Sequence, residues 1–235
     1  MFKKILFPRL KYILIKPSGL FLYLLILNFI LPEPVYPETS ALDEIVSKIQ
    51  KKYEYVRELE TDCIQETFNR TVEKKFIFKG SLYVKKPDKL RMEIKEPEKQ
   101  LIIANGQTLW VYLPENKQVV REKLDLNNKS KTALTILTGM AKLSRDFEIS
   151  MEQGSEKSRS YMLGLIPKDS KSMIKKMRLE VDKNNLNFQK VIVEDSFGNW
   201  TSYELKNIKV NRGISDSKFE FKTPDGVEVV ESTGD

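Results

Sequence analysis

Gly80-Ser81-Leu82-Tyr83-Val84-Lys85-Lys86-Pro87-Asp88-Lys89-Leu90-Arg91-Met92-Glu93 is the stretch that decides the fold. Apolar Leu82 and Val84 alternate with smaller or more polar neighbours, and Phe76 and Phe78 extend the same face upstream. Pro87-Asp88 then breaks the run, and Leu90, Met92 and Ile94 restart it at period 2. A period of 2 on both sides of a turn predicts two adjacent strands, each with one apolar face.

The same pattern recurs downstream. Asn105-Gly106 separates Leu101–Ala104 from Thr108–Leu113, a strong hairpin signal. Met177, Leu179 and Val181 alternate with Lys176, Arg178, Glu180 and Asp182; Tyr203 and Leu205 alternate with Ser202, Glu204 and Lys206. Pro114-Glu115-Asn116, Lys183-Asn184-Asn185 and Ser196–Asn199 are further turn candidates. About ten or eleven strands in one antiparallel meander are expected. Two segments have helical period. Leu42, Ile45, Val46, Ile49 and Tyr53 define an N-terminal helix that Ser40 and Asp43 would cap. Between Ser130 and Phe147, Ile136, Met140, Leu143 and Phe147 fall on one face, with Gly139 splitting the run into two short helices. On pattern alone this insert reads as cover for the core, with a lid over a cavity as the alternative.

Composition bounds the chemistry. The chain has 235 residues, no His and one Cys. Histidine-ligated zinc, a Ser-His-Asp triad, a thiolate metal cluster and an internal disulfide are therefore excluded. Cys63 has no His to activate it and reads as a small buried hydrophobe. The close carboxylates Glu58 with Glu60 and Glu93 with Glu96 sit on solvated strand faces or turns. The expectation is a protein with no catalytic residues, no metal and no cofactor.

The net charge of +7 is inflated by the N-terminus. Lys3, Lys4, Arg9, Lys11 and Lys16 precede the 12-residue apolar run Leu20–Leu31, and Pro32, Pro34 and Pro37 follow it. A basic region before a short apolar run is the anatomy of a secretory signal. The run is short for a spanning helix, which needs ~20 residues. Residues 1–37 are thus expected to be a signal peptide and 38–235 a single domain; an uncleaved anchor is the alternative. Without the leader, 35 basic residues face 32 acidic ones, so a nucleic-acid partner loses its electrostatic support.

Large apolar side chains crowd the predicted strands: Phe76, Phe78, Leu90, Met92, Trp110, Tyr112, Met177, Leu179 and Tyr203. With only short helices to cover them, they form either plain core or the wall of an apolar binding cavity.

The order of motifs resembles a known family. After the helix come Asp62-Cys63-Ile64-Gln65, the Gly80–Glu93 stretch, Asn105-Gly106-Gln107-Thr108-Leu109-Trp110-Val111-Tyr112, Lys117-Gln118-Val119 and Phe219-Glu220-Phe221-Lys222-Thr223-Pro224-Asp225-Gly226. Together these resemble the periplasmic outer-membrane lipoprotein carriers of the LolA family over nearly all of residues 40–230. The resemblance implies an incomplete antiparallel β-barrel around an apolar cavity, with an N-terminal helix and a short helical lid formed by the Ser130–Phe147 insert. It implies a periplasmic monomer whose cargo is acylated lipoproteins, received from an inner-membrane ABC transporter and passed to an outer-membrane receptor lipoprotein where one exists. The nine side chains above, with Ile136, Met140 and Leu143, are then cavity candidates. Lys86 stands where the family usually carries an arginine that latches the lid, and Arg91 is a second latch candidate. Lysine lacks the planar fork, so its latch is weaker or differently made. Cys63 stands where the family usually has Phe, which reshapes the interior. A same-fold envelope protein that binds another lipid or senses mislocalised lipoproteins is the alternative function.

Removal of the leader is expected to give a product starting between about Pro34 and Ala41. N-terminal sequencing of envelope-derived protein checks this; a full-length product that pellets with membranes would refute it.

Overall fold

A computed structural model describes residues 40–124, 142–155 and 157–232. Helix α1 (Ala41–Tyr55) leads into six consecutive strands: β1 (Glu58–Asn69), β2 (Lys74–Lys85), β3 (Lys89–Glu96), β4 (Gln100–Asn105), β5 (Thr108–Leu113) and β6 (Gln118–Lys123). A four-residue helix α2 (Leu143–Asp146) precedes β7 (Phe147–Met151), β8 (Ser160–Pro167), β9 (Ile174–Asp182), β10 (Phe188–Asp195) and β11 (Trp200–Val210). Strand β12 (Glu228–Ser232) is the last described element.

All twelve described strands join one open sheet in the order β12-β6-β5-β4-β3-β2-β1-β11-β10-β9-β8-β7. The expected mainly β fold is present, with one strand more than the upper sequence count. Each neighbour pair is antiparallel except β12 with β6. That exception has a topological cause. β11 ends at the lower end of the sheet, and the chain must travel back to the upper end before β12 begins, so β12 runs the same way as β6. The turns at 70–73, 168–173 and 196–199 lie at the upper end; those at 86–88, 106–107 and 183–187 lie at the lower end.

Local chemistry sets the element ends. Ser40 caps α1 by accepting from the Asp43 amide at 3.1 Å, and its hydroxyl donates to Asp43 Oδ2 at 2.8 Å. At the β4–β5 hairpin Asn105 Oδ1 accepts from the amides of Gln107 and Thr108, while Gly106 sits at φ 95°, a left-handed conformation that glycine adopts without strain. The insert expected as helix from Ser130 to Phe147 is described only from residue 142. There Leu143–Asp146 is helical, but Phe147 begins strand β7, pairing with Pro167. Its apolar side chain is buried by sheet packing, which a helical period cannot distinguish from a helix face. Residues 125–141 lie outside the described residues, and the predicted lid falls mostly there.

On the outer face, away from α1, the segment after β11 is strapped down by charge. The buried Glu58 carboxylate accepts from the Ile214 and Gly213 amides at 2.8 and 2.7 Å and pairs with Lys85 at 3.1 Å. Lys85 and Lys89 both reach Asp216, at 2.8 and 2.9 Å. Arg91 donates to Glu93 at 2.6 Å and to the Lys218 carbonyl at 3.1 Å. Phe219 is buried, and Phe221 packs on Trp110 and Tyr112 with centroids 6.1 and 5.8 Å away.

Two expectations follow. A Cβ on Gly80 would lie 1.9 Å from the Glu93 carbonyl oxygen, at the register shift between β2 and β3. Gly80→Ala should therefore cost about 3 kcal/mol by forcing two strands apart, measured by denaturant unfolding. The amide of Ile214, then Lys85, hold Glu58 below its ordinary pKa near 4.5, and Lys85 with Lys89 hold Asp216 below its own. Carboxylates with depressed folded pKa values stabilise above their unfolded pKa and lose that contribution as pH falls through the folded value. Glu58→Gln should lower stability at pH 7 and converge on the parent as pH falls through the depressed folded value; a constant gap at all pH values would refute the assignment.

Candidate functional site

Residues paired directly across an antiparallel ladder share a face. One row runs Thr61, Leu82, Met92, Ile102, Val111 and Val120 across β1 to β6. On the other wing Tyr203, Val191, Leu179 and Leu163 align. The two wings meet at Gln65, which opposes Phe78 on one side and Tyr203 on the other. This is a single apolar inner face, and α1 packs Val46, Ile49 and Tyr53 into its cluster.

The predicted site residues divide on this face. Met92, Leu143, Met177 and Leu179 are buried in the close-packed cluster beneath α1. Phe78, Leu90 and Tyr203 are half-buried against it. Phe76, opposite Thr67, is 44% exposed at the upper end. Ile136 and Met140 lie outside the described residues.

Trp110 and Tyr112 are placed differently. They align with Ile103 and Leu101, hence with Arg91 and Glu93, on the outer face against Phe221. The grouping of these two aromatics with the inner-face set is therefore corrected. β5 is apolar on both sides (Leu109, Trp110, Val111, Tyr112), so its composition carries no facing signal, and the outer strap supplies the burial that makes both faces apolar.

The two latch candidates separate in the same way. Lys86 donates to the Tyr53 carbonyl at 2.6 Å, tying the end of β2 to the last turn of α1. Burial lowers its pKa. Arg91 is on the outer face and holds the C-terminal strap instead, because its alternation partner Met92 takes the inner face. Sequence reasoning missed the links that seat α1: Lys52 donates to the Asn185 carbonyl at 2.6 Å and to Asn187 Oδ1, and Tyr53 Oη accepts from the Phe188 amide at 2.8 Å. The Tyr53 and Phe188 rings stack at 3.7 Å. The Leu143 amide donates to Gln50 Oε1 at 2.8 Å, which anchors α2 to α1. None of these pairs has a sequence-local signal, since their members lie some 90 to 135 positions apart.

The inner face carries few charges: Glu122 aligns with Leu109 and Lys74 with Asn69 at its margins. Burial pushes the Cys63 thiol up to about 12 and the Tyr203 phenol to about 12, so both stay protonated at neutral pH. Gln65, Thr67 and Thr201 are its uncharged polar members near the upper end. Among the described residues there is no group of three acidic or thiol side chains able to hold a metal ion. Such a face suits contact with hydrocarbon rather than with charged groups.

Known proteins agree with this fold. The Legionella pneumophila outer-membrane lipoprotein carrier protein is 29% identical over 213 residues, covering 88% of this chain and 96% of that one. The Pseudomonas paraeruginosa protein of the same name is 29% identical over 152 residues, covering 65% and 71%. Among solved structures, an uncharacterized conserved protein from Thermus thermophilus superposes with a TM-score of 0.51 at 13% identity, over 82% of this chain and all of that one, which supports the fold alone. The family model for the outer membrane lipoprotein carrier protein LolA matches residues 54–222. From the open sheet, its apolar inner face and this match, the chain belongs to the LolA family.

Proposed function

We propose that this protein is a periplasmic chaperone that shelters the acyl chains of lipoproteins against its inner face and carries them from the inner to the outer membrane. The observation that carries the reading is the half-open apolar inner face beside a closed core, with Phe76, Phe78 and Tyr203 towards its upper end and Leu90 at its lower end. Family membership and the names of the relatives support it. The role is one of carriage, without catalysis. An inner-membrane ABC transporter would load the protein, an outer-membrane receptor lipoprotein would unload it where one exists, and the working form is a monomer.

Energetics favours partial shelter. Each buried CH₂ contributes ~0.8 kcal/mol, so one 16-carbon chain contributes about 12 kcal/mol. Two or three chains fully enclosed would pass the ceiling of roughly 18–21 kcal/mol seen for non-covalent binding. A carrier must release its cargo. A half-open margin limits the apolar area each chain can bury, and cargo then moves to whichever partner offers more.

Leu90 tests the proposal. It sits at the lower end of the inner face, opposite Val84 and Ala104, and is half-buried. Leu90→Glu should cost about 1–2 kcal/mol and leave the protein folded, while lipoprotein transfer between membranes fails. Met177→Glu, in the closed core, should instead cost about 3–5 kcal/mol. Thermal unfolding and a transfer assay on both variants check this, with mass spectrometry of lipids extracted from protein purified from its own envelope. Normal transfer by a folded Leu90→Glu variant would remove Leu90 from the cargo path, and the absence of acylated cargo in the extract would overturn the carrier reading.

A further inference from the structure

Three turns at the upper end of the sheet present their largest apolar side chains to solvent. Val72 is 54% exposed, Met173 69% and Phe197 69%. The turns are contiguous. The Ser196 amide donates to the Met173 carbonyl at 3.0 Å, and the Arg70 amide donates to Asn199 Oδ1 at 3.0 Å. The Arg70 side chain lies directly against Gly198, where a Cβ would come within 2.8 Å of its guanidinium.

The polar side chains of these turns are spent on their own backbone. Asn69 Oδ1 accepts from the Thr71 and Val72 amides. Asp195 Oδ1 accepts from the Phe197 and Asn199 amides, and Asp169 Oδ1 from the Lys171 amide. Val72, Met173 and Phe197 therefore stand exposed among the charged side chains of Arg70, Glu73, Lys168, Asp169 and Lys171. Nearby, Glu66 pairs with Lys75 at 3.0 Å and Glu194 with Lys175 at 2.8 Å, while Glu73 stands exposed in the turn with Val72. Lys74 and Lys171 form no ion pair with another described residue. The result is a set of apolar tips next to the exposed inner-face Phe76, among charges in which Arg70, Lys74, Lys168 and Lys171 outnumber Glu73, Asp169 and the half-buried Asp195.

We propose that this end of the sheet docks on the surface of an anionic lipid bilayer, with Val72, Met173 and Phe197 entering the headgroup layer and Arg70, Lys74 and Lys171 facing lipid phosphates. Exposed apolar residues grouped in this way mark a contact surface. Three convex tips offer too little area for a standard protein interface, which takes roughly 800 Å² from each partner. A bilayer needs no complementary shape; it takes apolar area at headgroup depth and adds attraction for each basic group. The docking deepens the carrier reading by bringing the Phe76 margin of the inner face to the membrane, and only its purpose rests on that reading.

Site-specific labelling tests it. Cys63 is buried with its thiol pushed up to about 12, so a new surface thiol can be labelled selectively. An environment-sensitive fluorophore is placed on the cargo-free full chain through Met173→Cys, and on a second sample through Tyr55→Cys, 71% exposed next to the sheet's lower end. Vesicles of phosphatidylethanolamine with one quarter phosphatidylglycerol should shift the emission of the label at 173 to the blue and leave the label at 55 unchanged, even if the N-terminal segment tethers the chain. Val72→Ser with Phe197→Ser should weaken the response at 173 at least about tenfold, and 0.5 M salt should weaken it further. No shift at 173, an equal shift at 55, or a response that survives the double substitution would overturn the proposal. A photo-crosslinker at 173 that captures a protein without any lipid response would also overturn it, in favour of a protein partner. Acyl-chain binding, measured separately on the same samples, distinguishes failure of docking from failure of the carrier reading.

Discussion

The β1 ladder is the constraint on which the structure depends. β1 pairs with β2 along its whole length and with β11, which lies some 140 residues later in the chain. That second ladder joins two strand wings into one sheet and brings Gln65, Phe78 and Tyr203 together on the inner face. Closing so long a loop is costly in entropy, and it is repaid by a core that draws on both wings, from Met92 to Leu179. Cys63 sits at the middle of this seam between Gly80 and Leu205. A small buried side chain fits where β2 approaches β3 so closely that only glycine is tolerated at position 80.

The two faces of the sheet are stabilised by different means. The inner face relies on apolar packing beneath α1, which is seated by Lys86, Lys52 and Tyr53. The outer face is held at its lower end by charge, through Glu58, Lys85 and Asp216, and further along by the burial of Phe219 and the aromatic contacts of Phe221. Ion pairs with partly exposed members are individually weak. Glu58 is stronger because it is buried and also satisfies two backbone amides. With the outer face covered by a strap, the inner face keeps half-open apolar positions at both ends, Phe76 above and Leu90 below.

Lys86 acts as a point-charge anchor between β2 and α1. An ammonium can cap a single helix carbonyl well but cannot bridge two acceptors in a plane. It serves here as an anchor for the C-terminus of α1, where a positive charge also complements the helix dipole.

Sequence alone determined most of the strands, the capped N-terminal helix and the absence of histidine chemistry, because periodicity, turn residues and composition are local properties. Met92, Leu179 and Tyr203 were assignable to an apolar face from alternation with polar neighbours. Tertiary structure alone decided which face each strand turns inward when both sides are apolar, as for Trp110 and Tyr112. It also decided the partner of Arg91, the parallel return of β12 and the conversion of Phe147 from a helical to a strand position. Each of these depends on contacts between residues distant in the chain, and a long-range pairing leaves no period in the sequence by which it could be read.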